Sequence, residues 1–144
     1  MLKIYLAGAL FSVAEREYNE KISAILEELG YEVFLPQNSS NTDDDAILFS
    51  ELVNKINESD IVLAVCDGTQ TDDGTAWELG YAFAKDIPTV LLRTDFRQRC
   101  DSDHYNLMLK FSASDIINVS DLDNIKEFLD DVLKRVEYVY LSGK

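Results

Sequence analysis

The stretch DIVLAVCDG, Asp60 to Gly68, constrains the chain more than any other. Its apolar residues run without alternation and stop at Asp-Gly, the mark of a strand buried on both faces of a parallel sheet. Around it the hydrophobic period switches back and forth between 2 and 3.6. LKIYLAG reads as a first strand, and AEREYNEKISAILEELG as a helix through Tyr18, Ile22, Ile25 and Leu26 that stops at Gly30. YEVFLP is a second strand, closed by Pro36. A polar loop leads to an amphipathic helix carrying Ile47, Leu48, Leu52, Val53 and Ile56. After the buried strand comes a helix from about Gly74 to Lys85, then PTVLLRT as a fourth strand and DIINVS as a fifth. The short YNLMLK lies between them, and DLDNIKEFLDDVLKRVEYVY closes the chain as a helix. Strand–helix alternation of this kind specifies a layered α/β fold with right-handed crossovers.

With 144 residues, 47% of them hydrophobic, and no linker or repeat, the whole of 1–144 is expected to form one domain. The formal charge of -14 argues against nucleic acid or an anionic membrane as the main partner, because phosphates are held by Lys and Arg. MLKIYLAGALFS lacks a basic n-region, and no apolar run approaches membrane-spanning length. Cys66 and Cys100 have no C-x-x-C partner, and His104 is the single histidine, so no metal site is expected. Two reduced cysteines suit a cytoplasmic protein.

In open α/β sheets, ligands bind beyond the carboxyl ends of the strands, where the strand order reverses. The segments to search are therefore AGALFS, LPQNSS, CDGTQTDDGTAWE and RTDFRQ. None carries G-x-G-x-x-G, a P-loop or G-x-S-x-G, which argues against dinucleotide, NTPase and serine-hydrolase chemistry. Gly8 lets backbone or ligand approach closely, and Phe11 after the turn offers a ring for stacking. Arg93, Arg97 and Arg99 read as a small basic island that offsets local acid.

The third loop holds the most chemistry. Thr75-Ala76-Trp77-Glu78 fits the S/T-x-x-E capping box, which predicts Thr75 at N-cap and Glu78 at N3. A carboxylate in the first helical turn is kept ionised by backbone amides and the macrodipole. An ionised carboxylate at a cleft suits covalent attack on an electrophilic sugar carbon, and a second nearby acid can hold a proton. Two carboxyl groups in different environments serve to cleave a glycosidic bond. The spacing permits such a site and is equally met by a helix cap.

KIYLAGALFS, DIVLAVCDG, DDGTAWELGYA and YNLMLK occur in the order found in nucleoside 2-deoxyribosyltransferases, and the chain resembles that family over nearly its whole length. The resemblance implies a flavodoxin-like, Rossmann-like sandwich: a five-stranded parallel sheet with helices on both faces. It implies exchange of the base of a 2′-deoxynucleoside through a covalent deoxyribosyl intermediate on Glu78. Asp72 matches the aspartate that contacts the base and moves its proton, and Tyr5 the tyrosine that holds the nucleophile. Gly8, Phe11, Gln37 and Gly74 fall at substrate-binding positions; Asn106, with Met108 beside it, matches the asparagine that reaches the sugar 5′-hydroxyl in a neighbouring subunit's site. Deoxynucleosides and free nucleobases are the implied partners, in a homo-oligomer, with no metal or organic cofactor.

Two positions depart from the family pattern. Leu52 stands where members often carry Asp or Asn on the second helix, which leaves the base preference open. Tyr138 and Tyr140 are followed by LSGK, where some relatives end on a tyrosine. Two other readings remain: an N-glycoside hydrolase of deoxynucleosides or their 5′-monophosphates, and a non-catalytic nucleotide-binding module. The monophosphate-cleaving subgroup resembles S-A-M rather than N-L-M at the 5′-contact, so Asn106 favours free nucleosides. NLM also reads as a helix start with Leu107 and Met108 in the core.

Overall fold

The computed structural model describes residues 1–95 and 105–143. Its strands are β1 (Lys3–Ala7), β2 (Glu32–Phe34), β3 (Ile61–Val65), β4 (Thr89–Arg93) and β5 (Asp115–Asn118). They form a single parallel sheet in the order β2-β1-β3-β4-β5. This is the flavodoxin-like arrangement, whose order reverses between β1 and β3.

The pleat decides which helices each side chain meets. Ile4, Leu6, Ile61 and Leu63 enter one layer with α1 (Val13–Glu28) and α5 (Ile125–Val136), packing on Ile22, Leu26, Leu129 and Leu133. Tyr5, Ala7, Val62 and Ala64 enter the other, covered by α2 (Asp45–Asn57), α3 (Asp73–Ala84) and α4 (Leu107–Ser112) through Ile56, Leu79, Ala82 and Leu109. Period-2 alternation thus sends Tyr5 to the α3 side of the sheet. Each fully buried Leu or Ile contributes roughly 2 kcal/mol of transfer free energy.

Helix α1 starts at Val13, one residue before the expected Ala14, where Ser12 and Glu15 form a reciprocal cap. The Glu15 amide donates to Ser12 Oγ at 3.1 Å and the Ser12 amide to Glu15 Oε2 at 2.7 Å. Gly30, at φ +96°, ends the helix as its sequence predicts. The expected apolar face of α2 is covered only at its far end. Ile56 is buried, Leu48, Leu52 and Val53 are half-buried, and Ile47 is 56% exposed. After α5 the chain makes a π-helical turn, Glu137–Leu141, anchored by the Tyr31 hydroxyl donating to Glu137 Oε1 at 2.5 Å. Among the described residues, no helix is long and apolar enough to cross a membrane and no cluster of ligating side chains could hold a metal.

Candidate active site

Helix α3 carries two of the three residues at the centre of the site, and its first turn is built differently from the expected capping box. The N-cap is Asp72, not Thr75. Asp72 Oδ2 accepts from the Thr75 amide at 3.1 Å and from the Thr75 hydroxyl at 3.3 Å. Thr75, Leu79 and Ala82 recur at i, i+4 and i+7 and are all buried, so Thr75 belongs to the face that seats α3 on the sheet. Thr75 is the third residue inside the helix, and its amide is itself one of the groups that Asp72 caps. Gly74 fits beneath Asp72, since a Cβ there would come within 3.3 Å of Oδ2. Asp73 is exposed at the first helical position.

Glu78 therefore lies in the second turn, beyond the orphan amides, and the expectation that they keep it ionised fails. Burial pushes its carboxyl up from an ordinary 4.5 to about 7; the Asp72 charge adds to the rise, and a hydrogen bond from Tyr5 opposes it. That bond runs from the Tyr5 hydroxyl to Glu78 Oε1 at 2.6 Å. Tyr5 is wholly buried, and its ring stacks on Phe34 with centroids 5.5 Å apart. Burial first, then the Glu78 charge, raise the phenol far above its usual range, so Tyr5 remains the donor.

A second group forms around Asn19 of α1. Its amide donates to the Ala9 carbonyl at 3.0 Å and to Gln37 Oε1 at 3.2 Å, while Gln37 Nε2 donates to the Arg16 carbonyl and to Glu20 Oε1. Gln37, expected to face a base, here spends both ends of its amide on α1. A Cβ on Gly8 would come within 3.3 Å of both Asn19 Oδ1 and Val65 Cβ, so the close approach at Gly8 is to protein. Phe11 is 75% exposed, and its carbonyl accepts from Arg16.

Asn106 caps α4, accepting from the Met108 amide at 2.8 Å. Leu107 and Met108 are exposed rather than core, and Leu109 is the residue that anchors the helix. Asn106 and Met108 line a groove of about 740 Å³ between α3 and α4, opposite Thr71, Asp73 and Gly80; Tyr5, Asp72 and Glu78 are not part of its wall. The structure thus brings together Tyr5, Asp72, Gly74 and Glu78, sets Gly8 and Gln37 around Asn19, and leaves Phe11, Asn106 and Met108 on outer surfaces.

The sequence model of the nucleoside 2-deoxyribosyltransferase family matches residues 4–111. The chain belongs to that family. Among solved structures it is similar to a conserved protein from Enterococcus faecalis V583, at 29% identity over 94% of this chain and 98% of that one, with a TM-score of 0.76. It is also similar to the 2-deoxyribosyltransferase of Bacillus psychrosaccharolyticus, at 26% identity over 86% and 90% of the two chains, with a TM-score of 0.70. A CMP N-glycosidase from Clostridium botulinum shares the fold at 22% identity over 90% and 98%, with a TM-score of 0.64. No protein among the functionally curated ones matches the chain.

Of two further features of this deoxyribosyltransferase-family chain, one can be read from its sequence and one cannot. Asn19 was legible: it shares the i, i+3, i+7 stripe of Ile22 and Leu26, and a polar residue on a core stripe needs partners. The network at the ends of β3 and β4 was not. Asp67 accepts from the Thr94 amide and hydroxyl, each at 2.6 Å, and from the Asp95 amide at 2.9 Å. Arg93, read as part of a basic island, is 3% exposed and donates to the carbonyls of Cys66 and Gly68. It braces the loop that leads to Asp72. Arg97, Arg99, Cys100 and His104 lie outside the described residues.

Proposed function

We propose that this chain exchanges the base of 2′-deoxynucleosides, as part of nucleoside salvage in the cytoplasm. One observation carries the reading: a half-buried carboxyl, Glu78, held by Tyr5 at 2.6 Å, with a second carboxyl capping the same helix. Membership of the family supports the reaction class, and the fold puts the pair beside the reversal of strand order between β1 and β3.

The reaction is two displacements at C1′. Glu78 attacks from one face as the glycosidic C–N bond breaks and its electrons pass to the base. Asp72 gives a ring nitrogen of the leaving base a proton. A second free base then attacks the deoxyribosyl–Glu78 ester, releases the carboxylate and returns a proton to Asp72, with net retention at C1′. In the reacting form Glu78 is ionised, and Asp72 is the group that passes the proton to the base. Tyr5 fixes the rotamer of the nucleophile, where a small misplacement costs much of the proximity advantage. Gly8, Phe11, Gln37, Gly74 and Met108 are proposed to contact substrate. For Gln37 this requires exchanging its contacts to α1 for the base. Asn106, on the outer α3–α4 groove, is proposed to serve the site of a neighbouring subunit, which requires a homo-oligomer.

The test is incubation with one 2′-deoxynucleoside and a second free base. The exchanged nucleoside is expected, and Glu78→Ala should abolish it. Release of base and deoxyribose at a rate indifferent to the acceptor base would replace transfer by hydrolysis.

A further inference from the structure

We infer that Thr75 is a positioning residue for the proton transfer, because it decides which oxygen of Asp72 exchanges a proton with the base. The inference rests on the proposed base exchange. Both protein donors to Asp72, the Thr75 amide and hydroxyl, converge on Oδ2. Among the described residues no donor meets Oδ1. A carboxylic acid holds its proton on one oxygen and presents the other as a carbonyl acceptor. An oxygen that already accepts two hydrogen bonds is the carbonyl, so the acid proton sits on Oδ1. In the first displacement the Oδ1–H bond breaks as the base nitrogen takes the proton. In the second, Oδ1 takes a proton back from the incoming base.

The arrangement is rigid. Thr75 is 2% exposed, so its hydroxyl has no water to turn to. The amide alone would cap the helix; the hydroxyl adds a second donor to the same oxygen, and its loss frees the carboxyl to turn about χ2. Gly74 leaves the Oδ2 side open, since a Cβ there would press on that oxygen at 3.3 Å. Glu78 takes its hydrogen bond from Tyr5 while the Thr75 hydroxyl donates to Asp72, so the nucleophile should be indifferent to that hydroxyl.

The experiment compares two substrates on one preparation, so that any unfolded fraction cancels. One is 2′-deoxyadenosine, whose base leaves well only when protonated. The other is a 7-methylated 2′-deoxyguanosine, whose cationic base leaves without a proton. Thr75→Val keeps the shape and removes the hydroxyl, Thr75→Ala removes it with less demand on packing, and Thr75→Ser keeps it. We expect both hydroxyl-free variants to slow deoxyadenosine cleavage about tenfold, as loss of one hydrogen bond of about 1.4 kcal/mol would do, and cleavage of the methylated substrate less than about twofold. Thr75→Ser should match the parent on both. Equal slowing of both substrates, or of neither, overturns the inference, as does a Thr75→Ser variant that behaves like Thr75→Val. If the parent itself fails to cleave either substrate, it is the base-exchange reading that falls.

Discussion

The Tyr5 hydroxyl donates to Glu78 Oε1 at 2.6 Å across 73 positions of sequence, and the pair joins β1 to α3. Tyr5→Phe keeps the ring on Phe34 and removes the bond. A hydrogen bond to a charged acceptor contributes about 1.5–3 kcal/mol, so kcat should fall about 10- to 100-fold, with KM little changed. Steady-state base-exchange kinetics check this; an unchanged kcat would remove Tyr5 from the mechanism.

The Glu78 carboxyl gives a pH signature with a definite sign. Burial raises it from 4.5 to about 7, so the nucleophile gains its charge as pH climbs through about 7. Base exchange should therefore rise with pH up to about 7 and level off above it. Asp72→Asn removes the neighbouring charge that adds to the rise, so its weak residual activity should climb at lower pH than that of the wild type. Rate profiles of the two proteins on one deoxynucleoside check this; a wild-type rate that falls as pH approaches 7, or superimposable profiles, would contradict it.

Stability should follow the same group. The carboxyl of Glu78 titrates higher in the folded chain, at about 7, than its ordinary value of 4.5. The folded state then binds the proton more tightly, and the wild type loses stability as pH rises from 4.5 through 7. Glu78→Gln keeps an acceptor for Tyr5 and carries no charge. Its melting temperature should exceed that of the wild type at pH 8, by the equivalent of up to roughly 3 kcal/mol, and the gain should vanish near pH 4.5. Thermal melts at the two pH values read it directly; a gain that does not depend on pH would contradict the assignment of cause.

Asn106 tests the assembly. Glu78→Ala and Asn106→Ala should each be inactive alone. Mixed, dissociated and reassociated, they should recover roughly a quarter of parental activity if subunits pair at random and each mixed dimer holds one intact site. No recovery in a sample whose subunits demonstrably exchange would place Asn106 in its own subunit's site or outside the machinery.

What the sequence disclosed follows from which interactions are local. The five strands were readable because buried parallel strands are apolar without interruption, and Ile61–Val65 shows this best. The cap of α3 was ambiguous, since Asp72 and Thr75 are both good N-caps. The fold decides it: the helix begins at Asp73 and the Thr75 amide donates to Asp72, an outcome that spacing alone does not distinguish. The electrostatics were not readable either. Glu78 titrates high because the folded chain removes water from it, a consequence of layer packing that spacing along one helix does not encode. Nor could Arg93 be placed by local pattern, because its partners are carbonyls at the end of a neighbouring strand.

The central claim is that Glu78 becomes the covalent carrier of the sugar. The most direct measurement is peptide mass spectrometry after rapid acid quench of the protein mixed with a 2′-deoxynucleoside and no acceptor base. The account predicts one 2-deoxyribosyl group on the peptide containing Glu78, lost again when a free base is added before the quench. Turnover by the parent with an adduct on another residue, or with none while Glu78→Ala still exchanges bases, would contradict it.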